Sequence, residues 1–316
     1  MFAFSTCWNS HRHTDGTEMI SEIILLGFNA MEISHGARVT LFPGILKIVN
    51  MKRQTFRVVG VHNFCPSPVE VLMDAPDVYQ ISSPREEEFR RAVKLTLETI
   101  DTAAQMQAGY VVLHLGSAKV KPRTRTLEKL IAAGGFNSRE YVREKLSLVQ
   151  AREEAGQKAL PRVREALAMI VARAEEKGIK LGFESRSHYE QIPTEREMLG
   201  LLDEFKQSPV VGYWHDFGHV QRKANLGLLD HEQWLESVQD RLIGCHLHDV
   251  VWPDRDHHVP FRGSIDYDSL VPLLPPEAPL VWEINPRRRS VHIKESLVAW
   301  KERYGVPPDE IPPVCV

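Results

Sequence analysis

The sequence predicts an α/β protein folded as a single (β/α)8 barrel. Three observations carry that expectation. Eight short apolar runs rich in β-branched residues punctuate the chain, helical periodicity fills the stretches between them, and no Gly-rich phosphate fingerprint follows the first run. The last observation weakens the competing architecture, a doubly wound open sheet.

The runs are FAFSTC (2–7), NAMEIS (29–34), RVVGVHN (57–63), YVVLHLG (110–116), KLGFES (180–185), VVGYWHD (210–216), LIGCHLHD (242–249) and PLVWEIN (279–285). Their length and branching suit strands. The clearest helix lies at 84–107, where Ser83 can cap, Pro84 suits the first turn, and Phe89, Val93 and Leu97 recur at spacing four. A second, RVREALAMIVARAEEKG (162–178), closes at Gly178. With neither linker nor low-complexity sequence, residues 1–316 are expected to form one domain, carrying an insertion at about 117–157 after the fourth strand. That insertion starts basic, AKVKPRTRTLEK, ends as a charged helix, and is expected to overhang the barrel mouth. A lid or phosphate clamp is one reading; a solvated decoration or a dimer contact in a homo-oligomer is the other.

Composition bounds the function. A chain of 316 residues with 43% hydrophobic and 26% charged residues can bury a sizeable core. Its formal charge of -3 provides no global attraction to nucleic acid or to an anionic membrane. Cys7, Cys65, Cys245 and Cys315 form no CxxC pair, the N-terminus lacks a signal-peptide layout, and no run approaches a membrane span. A cytoplasmic protein without membrane partners is expected.

An ionisable residue ends nearly every strand: Glu32, His62, His114, Glu184, Asp216, His246 and Glu283. This is the face on which barrel enzymes keep their active sites. Two residues earlier, on the same strand face, stand Gly60, Gly182 and Gly244, which predict a cavity below. Taken singly, each histidine suits a hydrogen-bonded residue and each acid a solvated one. Glu184, Asp216, His246 and Glu283, however, end the fifth to eighth strands and converge on one quadrant. Three carboxylates there repel, and a divalent cation relieves the repulsion. One imidazole among oxygens suits Mn²⁺, Mg²⁺ or Co²⁺ and also accepts Zn²⁺.

The motifs VHNFCP, LHLGS, GFESR, HDFGHV, CHLHD, DHHVPFRGSIDY and WEINP, in this order, make the chain resemble the xylose isomerase-like superfamily of TIM barrels. That superfamily holds sugar isomerases and epimerases and the endonuclease IV type of abasic-site nuclease. The resemblance implies that Glu184, Asp216, His246 and Glu283 bind one metal and that Glu184 and Glu283 also serve as base and acid. It implies for His219, of the D-x-x-H motif, contact with substrate or with a further metal. It aligns His246 and Asp249 with an H-x-x-D pattern, which leaves His248 at the rim.

The function expected is a sugar or sugar phosphate isomerase or epimerase. A metal chelating the substrate's carbonyl and hydroxyl stabilises an enediolate while carboxylates move the carbon-bound proton. His62, His114, Arg186, His219 and His258 are the candidate contacts for a small carbohydrate. His258 is favoured over His257 from the D-x-H formed with Asp256, although Phe261 and Arg262 stand where the family carries glycines. The competing expectation is an abasic-site nuclease, whose larger ligand set this chain also offers in His62, His114, Glu184, Asp216, His219, His246, Asp256, His258 and Glu283; the acidic balance opposes it. Arg287, Arg288 and Arg289, after the last strand, could bind a phosphate or be plain surface charge.

Overall fold

The computed structural model describes residues 1–51, 55–71 and 76–305; Cys315 lies outside the described residues. Eight parallel strands close a barrel: β1 (Phe2–Ser5), β2 (Ala30–Ile33), β3 (Arg57–His62), β4 (Tyr110–Leu113), β5 (Lys180–Glu184), β6 (Val211–Asp216), β7 (Leu242–Leu247) and β10 (Leu280–Trp282). Every expected run contains its strand. The remaining two strands, β8 (Asp249–Val251) and β9 (Arg255–His258), form an antiparallel hairpin inserted after β7. The hairpin folds beside the mouth because β8 follows the end of β7 after a single residue.

Helices surround the barrel: α1 (Gly16–Leu26), α2 (Phe42–Met51), α3 (Glu86–Gln105), α4 (Thr124–Ala132), α5 (Arg139–Lys177), α6 (Glu195–Glu204), α7 (Phe217–Asn225), α8 (His231–Val238), α9 (Tyr267–Leu270) and α10 (Ser290–Tyr304). Their buried faces turn towards the barrel; in α3 these are Phe89, Ala92, Val93, Thr96, Thr99, Ile100 and Ala103. Among the described residues no helix is long and apolar enough to cross a membrane.

Two helix boundaries differ from expectation. Ser83 does not cap α3: a turn closed by Ser83 N–H on Gln80 O holds Pro84 ahead of the helix, and the Ser83 hydroxyl accepts the N–H of Arg85 instead. Glu86, Glu87 and Glu88 then fill the first turn, complementing the helix dipole. Nor does a helix begin at 162, because α5 runs unbroken for 39 residues through Pro161. It starts where Ser138 Oγ accepts the Tyr141 N–H at 3.1 Å, and stops at Gly178, whose φ of 66° forms the left-handed cap. The first half of α5 and all of α4 therefore make up the insertion. Glu190, just beyond β5, ties α4 to the mouth by accepting the Thr124 N–H at 2.8 Å and the Thr124 hydroxyl at 2.5 Å.

Candidate active site

The site stands on an aromatic floor. Tyr110 and Trp214, with ring centroids 4.5 Å apart, fill the barrel interior below the strand ends. This corrects the expectation of a cavity beneath His62, Glu184 and His246. A Cβ at Gly60 would lie 2.0 Å from the Tyr110 ring, one at Gly244 2.2 Å from the Trp214 ring, and one at Gly182 3.0 Å from Trp214 Cβ. The three glycines make room for these rings rather than for a ligand.

Directly above, Glu184, Asp216, His246 and Glu283 each offer a ligand atom within 4.8 Å of the others, and all four are buried. His246 Nδ1 lies 3.3 Å from Glu184 Oε1, 3.6 Å from Asp216 Oδ2 and 3.2 Å from Glu283 Oε2. Its other nitrogen, Nε2, is 3.0 Å from Glu32 Oε1, and Tyr110 donates its hydroxyl to Glu32 Oε2 at 3.1 Å. Glu32 thus steers the imidazole so that Nδ1 faces the three carboxylates. A carboxylate behind a histidine is the usual support of a metal ligand. Among the described residues no lysine or arginine comes within 4 Å of Asp216 or Glu283; only imidazoles do. Buried Asp216 and Glu283 balanced only by imidazoles, with three oxygens and one nitrogen of the quartet converging, fit a divalent cation.

Burial alone would raise the Glu184 and Asp216 carboxyls. Imidazoles reverse this and hold both well below the usual range, His114, His219 and His246 acting on Glu184, and His219, His248 and His246 on Asp216. Glu283 is also lowered against its burial, by His246 and His257.

A second group adjoins the first. His114 Nε2 and His62 Nε2 approach Glu184 Oε2 at 2.7 and 3.2 Å. The Nδ1 of His62 faces the Asn63 carbonyl at 2.9 Å, and that of His114 faces Asp77 Oδ1 at 3.0 Å. Both acceptors require an N–H at Nδ1, which leaves the two Nε2 atoms as the ligand positions. Arg186 is buried beside them. It donates from Nη2 to Asp77 Oδ2 at 2.7 Å, and its Nη1 is 3.9 Å from Glu184 Oε2.

The remaining histidines sort differently from expectation. His219 Nδ1 hydrogen-bonds the Ser185 carbonyl at 3.0 Å and lies 3.4 Å from Glu184 Oε1 and from Asp216 Oδ2. His248 is fully buried rather than at the rim: its Nδ1 accepts the His257 N–H at 2.9 Å, so Nε2 carries the proton and donates to Asp216 at 3.0 Å. His257, not His258, turns into the site. A φ of 54° lays its ring on His248, with centroids 4.1 Å apart, and brings Nδ1 to 3.0 Å from Asp256 and Nε2 to 3.6 Å from Glu283. His258 belongs to none of the converging ligand groups and takes a hydrogen bond from Arg288 Nη2 at 3.0 Å. Asp256 is held by Arg222 at 2.7 Å, and Arg222 also reaches Glu128 of α4 at 2.7 Å, which links the insertion to this edge of the site. Asp249 shapes the loop rather than facing the site, accepting the N–H groups of Val250, Arg262, Gly263 and Ile265.

Sequence reasoning did not single out Glu32 as the partner of His246, nor Asp77 at all. Glu32 was visible as a strand-end acid; Asp77 lies in a loop without periodicity.

The profile of the xylose isomerase-like TIM barrel family matches residues 22–302. No curated protein sequence matches the chain. Among solved structures, the chain is similar to a D-tagatose 3-epimerase-like protein at 20% identity and a TM-score of 0.66, covering 95% of this chain and 97% of that one. It is similar to the D-allulose 3-epimerase of Methylomonas sp. in complex with D-allulose at 14% identity and a TM-score of 0.65, covering 96% of each chain. It is also similar to the IOLI protein with a bound zinc atom, at 12% identity and a TM-score of 0.62, covering 94% of this chain and 95% of that one.

Proposed function

The chain belongs to the xylose isomerase-like TIM barrel family, and from that premise we propose that it is a divalent-metal-dependent isomerase or epimerase of a sugar or sugar phosphate. The observation that carries this reading is the convergence of Glu184, Asp216, His246 and Glu283 within 4.8 Å at the mouth. Sugar epimerases among its structural neighbours, and the zinc held by a different neighbour, support it. A divalent ion held by these four residues would supply Lewis-acid stabilisation of charge on a substrate oxygen.

The protein's own groups do the rest. Glu184 and Glu283 each approach His246 Nδ1, at 3.3 and 3.2 Å, and the two carboxylates are the groups assigned to proton transfer at a bound carbon. In an isomerisation the carboxylate that takes the carbon-bound proton returns it to the neighbouring carbon; in an epimerisation the other glutamate enters the step as the carboxylic acid and gives its proton to the opposite face. Arg186, His62, His114 and His219 line the same space and orient substrate hydroxyls. His257 takes the place that the sequence had suggested for His258.

A second reading, a metal-dependent nuclease of the abasic-site type, is favoured by one observation: His62 and His114 turn two anchored imidazoles onto Glu184 Oε2, which offers a second ion a place beside the first. Incubation with metal and a panel of ketoses in D₂O separates the two. The isomerase incorporates deuterium next to the carbonyl of at least one sugar and carries one ion per chain. No exchange with any sugar, together with cleavage of an abasic-site duplex and two or more ions per chain, would transfer the assignment to the nuclease.

A further inference from the structure

Most arginines around the mouth are neutralised: Arg186 by Asp77, Arg222 by Glu128 and Asp256, Arg123 by Glu144. One sector of the rim is different. Arg287, Arg288 and Arg289 follow Glu283 on the turn after β10, and Arg255 opens β9 in the hairpin opposite. None of the four has a carboxylate within 4 Å among the described residues, as the ion pairs of this region go instead to Arg222 and Arg262.

The turn that carries them is well held. Asn285 donates its N–H to the His257 carbonyl at 3.0 Å and receives the Arg287 N–H on its side-chain oxygen at 3.0 Å, and Trp8 Nε1 donates to the Arg288 carbonyl at 2.9 Å. Arg288 is half-buried. It donates Nη2 to His258, a ring without formal negative charge of its own, and its Nε–H is buried with no partner. A buried guanidinium N–H left unmade is costly, and an oxyanion at Arg288 would supply the missing acceptor beside a cluster of positive charge. Arg287, Arg289 and Arg255 are exposed, so they are free to close on such an anion.

We propose that Arg288, with Arg255, Arg287 and Arg289 around it, is an oxyanion subsite at the mouth, and that the substrate is a phosphorylated sugar whose phosphate docks there. Phosphate is favoured over a carboxylate because a dianion matches several guanidinium forks at once. The same turn connects the subsite to the reacting centre: Glu283 lies two residues before Asn285, and His257, whose carbonyl Asn285 holds, has its ring 3.6 Å from Glu283. The subsite thus deepens the isomerase reading, which supplies the reacting end, while its binding chemistry is testable alone.

The test titrates inorganic phosphate into the metal-loaded protein, into Arg288→Gln and into the double variant Arg287→Gln/Arg289→Gln, with circular dichroism confirming that each is folded. Any phosphate bound to the metal is common to all three, so differences report the rim. The proposal expects saturable binding that weakens about tenfold or more in Arg288→Gln, the loss of a charge-assisted contact, and measurably less in the double variant. Identical titrations of the three proteins, or no saturable binding to the parent protein, overturn it. Matched neutral and phosphorylated ketoses in D₂O keep the two readings apart. Exchange confined to the neutral sugars removes the phosphate subsite and leaves the isomerase; Arg288-dependent phosphate binding with no exchange leaves the subsite and removes the isomerase.

Discussion

Glu32 and His246 are 214 residues apart in sequence and 3.0 Å apart in the structure, carboxylate oxygen to Nε2, both fully buried. This contact decides which nitrogen of His246 faces the mouth. With Nε2–H held by Glu32, the lone pair of Nδ1 points among Glu184, Asp216 and Glu283.

Removing the Glu32 carboxylate should therefore weaken metal binding from behind the ligand. Glu32→Leu is expected to lower affinity for Zn²⁺ or Mn²⁺ by roughly 10- to 100-fold, with Glu32→Gln, which keeps an acceptor, in between. Competition with a chromophoric chelator measures this. Equal affinities for the three proteins would show that Glu32 does not orient the ligand.

Glu283→Gln should retain metal better than it retains activity. An amide oxygen still ligates an ion but cannot accept a carbon-bound proton, so turnover is expected to fall by about 10² to 10⁴. Steady-state kinetics beside metal titration checks the split, and a variant that turns over normally would remove Glu283 from proton transfer.

Chelation should abolish activity while the fold stays. The barrel closes through eight strands, and its core of apolar side chains owes nothing to the quartet. The far-ultraviolet circular dichroism spectrum is expected to survive chelation unchanged. Collapse of the helical signal would make the ion a structural element.

A buried pair away from the mouth predicts acid sensitivity. His215 Nε2 and His231 Nε2 are 3.1 Å apart, with Tyr213 on His215 Nδ1 and Gln221 on His231 Nδ1, each at 2.9 Å. Burial lowers both imidazoles, His231 down to about 3. Their folded values lie below the ordinary value near 6.5, so the unfolded chain takes up protons first. The stability they contribute is present above about pH 6.5 and is lost as pH falls towards 3, at roughly 1.4 kcal/mol per pH unit for His231. Thermal midpoints from pH 7 to 4 should fall less steeply in His231→Gln than in the parent protein. Parallel curves would contradict the assignment.

Much of this was legible in the sequence, for physical reasons that also mark its limit. The strands were readable because short runs such as YVVL and VGYWHD, rich in β-branched and aromatic residues and too short for helices, suit the buried strands of a parallel sheet. The quartet was readable because alternation along a strand and the polarity of the barrel place Glu184, Asp216, His246 and Glu283 on one face. The start of α5 was not, since Pro161 suggests a break that the helix does not make. Gly60, Gly182 and Gly244 were read as empty space because the rings that fill it, Tyr110 and Trp214, come from other strands. The choice between His257 and His258 depended on a left-handed residue in a hairpin, which no periodicity announces.

The most direct test of the central claim is a crystal structure of the protein loaded with Zn²⁺, with the ion located by its anomalous scattering. The account predicts an ion coordinated by Glu184, Asp216, His246 Nδ1 and Glu283 at about 2.0 to 2.2 Å. An ion bound elsewhere, with these four side chains left diverging and more than about 2.6 Å from any common position, would contradict it.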